Sequence, residues 1–303
     1  VNNTGVVHRM NPMPASTVGV EAGKVAADMR IGQILFSRGR LTAAQVAGIL
    51  TEQGSCAHRF GEIALRLGLV ARKDIDDALA LQFGYTSLET VDSKLPSKLV
   101  TAANPTSPFA EALRALRSQL MMRWFDGTPG QTALALISVD RGDGKSFIAA
   151  NLGVVFAQLG ERTLIIDADL RQPTQHLNFG LPNRMGLSGI LSHRAGLEEI
   201  VAIERIGSLS VLPAGPQPPN PQELLGRPEF ARLLDELSSA YDVILIDTPS
   251  AQQSSDAHVI AQRAGAAVVV GRKGRTRSAE IGQLASIMTH SGIRILGTTL
   301  NEL

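Results

Sequence analysis

At 303 residues the chain is long for one compact domain and fits two. Its 44% hydrophobic and 19% charged residues exclude wholesale disorder. The balance of 29 Lys and Arg against 28 Asp and Glu excludes bulk electrostatic binding to nucleic acid. A single cysteine, Cys56, excludes an intrachain disulfide, and the six histidines are too scattered for a zinc site, so a reducing, cytoplasmic compartment is expected. No run reaches the roughly 18 apolar residues of a membrane span. Residues 1–27 lack the layout of a signal peptide and read as a flexible arm. Membrane association is therefore expected to be peripheral, at the inner membrane through a partner.

The first ordered elements form an internal repeat. Arg30-Ile31-Gly32-Gln33-Ile34 returns 29 residues later as Arg59-Phe60-Gly61-Glu62-Ile63, and Gly39, Leu41, Val46, Leu50 and Gln53 match Gly68, Val70, Ile75, Leu79 and Gln82. Each unit reads as a short helix, a glycine turn and a longer helix. Thr42 and Gln45 have capping-box spacing, and Val46, Ile49 and Leu50 fall on one expected buried face. The spacing predicts a helical two-repeat domain over 28–92, for which packing or a protein adaptor is the plain reading. The pattern also resembles the N-terminal domain of type II secretion and pilus ATPases (MshEN-like), some of which bind cyclic di-GMP. That resemblance implies Arg30, Gln53, Arg59 and Gln82 as guanine-facing residues, an arginine being suited to stacking and phosphate pairing. Ile49 stands where the motif has Ala, and Ala64 where it has Leu.

Periodicity then lapses, and residues 93–107 read as a linker to a second domain over 108–303. A helix is predicted from Phe109, with Glu111, Arg114 and Arg117 three apart on a slowly turning face. This is either a solvated face or, by resemblance to the ring-forming motif of bacterial tyrosine kinases, an oligomerisation element.

Ala133 to Val139 has the composition of a buried strand. It runs into Asp140-Arg141-Gly142-Asp143-Gly144-Lys145-Ser146 and then the apolar helix that Phe147 opens. A strand, a glycine-rich turn and Lys-Ser at a helix start are what a phosphate-binding loop needs, because backbone N–H groups must converge on the anion. Lys145 would reach the phosphates and Ser146 would ligate Mg²⁺. Arg141, Gly142, Asp143, Gly144 and Phe147 complete the nucleotide-binding candidates, although Val139 replaces the first glycine of the strict pattern. Two more apolar strands end in acids, at Asp167 and Asp169 and at Asp247, where parallel strands would gather their C-terminal ends. The fold expected is therefore α/β: a doubly wound, mainly parallel P-loop NTPase sheet, MinD/ParA-like, behind a small helical domain.

These motifs, with Arg171 and the loop Gly215 to Leu225 containing Pro219-Asn220-Pro221, resemble the bacterial tyrosine kinases, in particular chain-length-determinant kinases of EpsG type. The resemblance implies MgATP binding with Ser146, Asp169 and Asp247 around the metal, and Lys145, Asp167 and Arg171 as catalytic residues. In that scheme Asp167 is the base for a tyrosine hydroxyl, and Arg171 stabilises charge or a subunit contact. It further implies a role in exopolysaccharide synthesis, a membrane polysaccharide co-polymerase as partner and a homo-oligomer. The partitioning ATPases are disfavoured because Asp140 occupies the place of their signature lysine. Such kinases usually end in a tyrosine-rich tail, whereas here Asn301-Glu302-Leu303 follows the last expected strand. Tyr85 and Tyr241 are both expected to serve packing. Two readings follow: a kinase whose acceptor lies in another protein, or a non-kinase ATPase switch for a membrane export complex.

Overall fold

Apolar residues at helical spacing in the first part of the chain and in unbroken runs later give two kinds of core. The computed structural model describes residues 31–55, 58–82 and 98–302. Arg30, Cys56 and Tyr85 lie outside them. Helices α1 (Ile31–Ser37) and α2 (Ala43–Ser55) are followed by the equivalent α3 (Phe60–Arg66) and α4 (Arg72–Gln82). Each pair turns at a glycine with positive φ, Gly39 or Gly68. At the start of α2 the Thr42 N–H donates to Gln45 Oε1 at 2.7 Å and the Gln45 N–H donates to Thr42 Oγ1 at 3.3 Å, the reciprocal capping expected. Ile34, Leu35, Ile49, Phe60, Ile63, Ala64 and Ile75 share one core. The two departures from the repeat motif belong to it: Ile49 and Ala64 are both wholly buried, a large and a small side chain exchanged within one cluster. The expected face is wrong at one position, because Leu50 is 51% exposed and the stripe runs through Val46 and Ile49 alone.

In the second region, β1 (Ala133–Ser138), β2 (Thr163–Asp167), β3 (Val201–Ala202), β4 (Leu209–Leu212), β5 (Val243–Asp247), β6 (Ala266–Arg272) and β7 (Arg294–Asn301) form a seven-stranded sheet. Its order is β3-β4-β2-β5-β1-β6-β7, parallel except for the β3–β4 pair. Strands β1, β2 and β5 are buried along their whole length, as apolar strands covered on both faces must be. On one face lie the helices Pro108–Arg123 and Lys145–Gln158; on the other lie Pro228–Leu237, Asp256–Ala264 and Ser278–His290. This is the doubly wound, mainly parallel sheet expected. Its register sets Asp167 directly beside Asp247. Tyr241 packs, partly buried, against the core, as expected.

The expected linker 93–107 needs correction in its second half. Residues Val100–Ala103 form a helical turn, and Leu99, Thr101 and Ala102 are buried in the sheet's core. Asn151 holds the turn in place: its Oδ1 accepts from the Thr101 N–H at 3.0 Å and Oγ1 at 2.9 Å, and its Nδ2 donates to the Lys98 and Phe147 carbonyls. The sheet domain thus begins by residue 98. Composition could not show this, because Ser, Pro and Asn around the turn hide a short apolar anchor. Ser107 then caps the following helix, its Oγ accepting from the Ala110 N–H at 3.1 Å, with Pro108 at the first helical position.

Candidate functional site

The site grows from the turn between β1 and the helix Lys145–Gln158. Gly142 and Gly144 both have φ of +88°, which L side chains rarely adopt, so the loop needs glycine there. The first-turn N–H groups of that helix have no intrahelical acceptor, and the residues that carry them line the cleft above the sheet. The cleft encloses about 400 Å³ and is lined by Arg141 to Phe147 together with Lys98, Asp169, Thr174 and Ser250 among others. Asp143, a nucleotide-binding candidate, instead shapes the loop: it is 1% exposed and accepts from the Asp140 N–H and from Thr276 Oγ1. Phe147 also packs on Phe109, with ring centroids 5.2 Å apart.

Beneath the loop sit the strand-end carboxylates. Lys145 Nζ, nearly buried, lies 3.2 Å from Asp247 Oδ1. Asp247 Oδ2 accepts from Gln175 Nε2 at 2.8 Å, and the same amide nitrogen donates to the Ser146 carbonyl at 3.0 Å. Burial, reinforced by the neighbouring Asp247 charge, pushes the Asp167 carboxyl well above the ordinary carboxylate range. The N–H groups of Gln175 and Thr174 act against that rise. Burial also raises Asp169.

One expected catalytic residue sits elsewhere than its role requires, and a second is paired with a buried carboxylate. Asp167, the expected base, is wholly buried; its Oδ2 accepts from the Thr174 and Gln175 N–H groups and its Oδ1 from the Asp169 N–H. It shapes the turn after β2, and of the strand-end acids the one that lines the cleft is Asp169. Arg171 is engaged with the buried Asp256, Nε donating to Oδ2 at 2.8 Å and Nη2 to Oδ1 at 3.3 Å. Of the ring-forming candidates, Arg114 donates to Glu111 and to the Pro105 carbonyl, Arg117 donates to the Val155 carbonyl, and Glu111 stays exposed. In the helical repeat, Arg59 is exposed while Gln53 and Gln82 are half-buried.

Sequence reasoning missed Gln175, Lys98, Thr276 and Asn301. Gln175 belongs to no spaced motif, and the other three reach the loop from segments 47 to 156 residues away from Lys145 in the chain. Ser250 Oγ and Thr174 Oγ1 are buried on the cleft wall without a hydrogen-bond partner among the described residues. Such orphaned hydroxyls, an ammonium and strand-end acids fit a polyphosphate with a hydrated Mg²⁺, which needs few direct protein ligands. No helix of the described residues is long and apolar enough to cross a membrane.

The comparisons with known proteins agree with this geometry. The family model of the cellulose biosynthesis protein BcsQ matches residues 131–279. The putative tyrosine-protein kinase CapB of Staphylococcus aureus is 36% identical over 208 residues, 68% of this chain and 90% of the relative. The putative tyrosine-protein kinase EpsB of Ralstonia solanacearum is 32% identical over 274 residues, 87% of this chain but 36% of EpsB. Among solved structures, the kinase domain of the Escherichia coli tyrosine kinase ETK superposes with a TM-score of 0.66 at 31% identity, covering 71% of this chain and 84% of that one.

Proposed function

This chain belongs to the bacterial tyrosine-protein kinase family, and we propose that it binds MgATP in the cleft over Gly142–Ser146 and transfers the γ-phosphoryl group to a tyrosine in service of exopolysaccharide synthesis. The observation that carries the reading is Lys145. Its ammonium is held beside Asp247, and the residue lines the cleft at the glycine turn. Lys145 and the loop N–H groups bind the β- and γ-phosphates. Ser146, Asp169 and Asp247 are the residues that would hold Mg²⁺, which when bound neutralises charge on the phosphate oxygens. In the transfer, the tyrosine oxygen forms a bond to the γ-phosphorus while the bond to the bridging oxygen of ADP breaks. The phenolic proton passes to water in the cleft, because Asp169, the strand-end acid that lines it, is one of the residues that would hold the metal.

A membrane polysaccharide co-polymerase is the proposed partner, and the helix carrying Glu111, Arg114 and Arg117 the proposed contact in a homo-oligomer. In the helical repeat, Gln53, Arg59 and Gln82, with Arg30, are the proposed cyclic di-GMP residues; calorimetry on the full chain that detects no heat with cyclic di-GMP at tens of micromolar removes this part. A second reading is an ATPase switch for an export complex without kinase activity, in keeping with the match to a family model named for cellulose biosynthesis and not for a kinase. Incubation with labelled ATP separates the two. Phosphotyrosine on the chain or on a supplied partner, abolished by Lys145→Met, supports the kinase. Slow hydrolysis without phosphoprotein supports the switch, and full turnover by Lys145→Met refutes the site itself.

A further inference from the structure

We infer that the β6–β7 end of the sheet aims the phosphate loop, with Arg272, Arg275 and Asn301 acting as positioning residues that hold three consecutive loop carbonyls outward. Arg275 Nη2 donates to the Arg141 carbonyl at 2.9 Å, Arg272 Nη1 to the Gly142 carbonyl at 3.1 Å, and Asn301 Nδ2 to the Asp143 carbonyl at 3.2 Å. The next segment of the same loop holds a side chain: Thr276 Oγ1 donates to Asp143 Oδ1 at 2.8 Å and accepts from the Arg272 N–H at 2.8 Å. Every one of these donors comes from residues 272–276 or from the last residue of β7, two neighbouring places at the C-terminal end of one parallel pair.

Peptide geometry gives this arrangement its consequence. For successive N–H groups to converge on an anion, the carbonyls of the same peptides must leave on the opposite side and find donors there. Arginine suits the task because it stays charged and offers donors in a planar fork. The glycines fit the same account by a separate route. A Cβ on Gly142 would lie 2.8 Å from Arg275 Nη1, and one on Gly144 would collide with the Asn301 amide. Glycine at both places therefore admits the donors as well as the positive φ.

This inference rests on the cleft being a nucleotide site, and the test keeps the two apart. The full chain, its Arg272→Ala/Arg275→Ala variant and its Arg272→Lys/Arg275→Lys variant are titrated with a fluorescent ATP analogue in Mg²⁺, and their thermal unfolding is followed. The alanine pair is expected to bind about tenfold more weakly or worse, the scale of one lost charge-assisted hydrogen bond, with its unfolding midpoint nearly unchanged. The lysine pair, which keeps cationic donors, is expected to recover much of that loss. Should the alanine pair prove unfolded, Arg275→Ala decides alone, since that side chain is exposed and a several-fold loss is expected. Affinity unchanged in the folded alanine variants, or a lysine pair no better than the alanine pair, overturns the positioning role while leaving the nucleotide site standing. Failure of the unmodified chain to bind the analogue removes the nucleotide reading and this inference with it.

Discussion

The helical repeat and the sheet domain use polar residues in opposite ways. In the repeat, the core cluster is apolar, and of the candidate ligand residues Arg59 is exposed while Gln53 and Gln82 lie half-buried at matching places in the two units. In the sheet domain, Asp143, Lys145, Asp167, Gln175 and Asp247 are buried, and each is held by a named partner. Burying polar groups costs free energy unless each finds a partner, so a cluster of buried, mutually satisfied ones at the end of a sheet marks a site. Surface residues related by a repeat carry no such mark, because packing alone explains their spacing. The repeat's proposed ligand role thus rests on a pattern, and the sheet's on geometry.

Substitutions can break that contrast. Asp247→Ala should be the most damaging, lowering stability by about 3 kcal/mol, the low end of what leaving one buried charge without its partner costs. Urea unfolding measures this, and a loss below half a kcal/mol would mean that Lys145 does not depend on Asp247. Ile49→Ala, deep in the repeat core, should cost about 2–3 kcal/mol. The loss should appear in protection of the repeat's amides from hydrogen exchange and leave those of the sheet unchanged.

The pH dependence tests the buried carboxylates. Both resolved shifts, at Asp167 and Asp169, are upward from 3.8, so the folded state binds these protons more tightly than the unfolded chain. Their contribution to stability is present in full below the unfolded value and is lost as pH rises through the folded-state value. In Mg²⁺-free buffer, Asp167→Asn should therefore gain stability relative to the unmodified chain as pH rises above about 4; a difference independent of pH would contradict the burial of that charge. Leu50→Ala should have the smallest effect, within about 0.5 kcal/mol, because the side chain is half exposed. A cost like that of Ile49→Ala would restore the broader buried stripe that the repeat pattern suggests.

Much of the fold is legible in the residues themselves. Unbroken apolar runs ending in Asp167 and Asp247, and the Gly142-x-Gly144-Lys145-Ser146 turn between strand and helix, specify a parallel sheet with acids beside a phosphate loop. Local geometry enforces each of these features over a few residues. The 29-residue repeat likewise specifies paired helices, since capping and glycine turns act locally. Leu50 was misplaced because a 3.6-residue period cannot say how wide the buried stripe is. The anchor at 99–103 was missed because Asn151, which satisfies it, lies about fifty residues away.

What the sequence determined by itself, then, is the set of elements, the phosphate loop and the acids at the strand ends, because hydrophobic runs, turns and helix starts are decided by neighbours in the chain. Tertiary structure alone decided which groups face the cleft. It turned Asp169 toward the cleft and Asp167 under it, tied Arg171 to Asp256, and brought Gln175, Arg272, Arg275 and Asn301 to the loop. A buried polar group takes whichever partner the packed sheet places within hydrogen-bond reach, and in a doubly wound sheet that partner comes from a distant crossover.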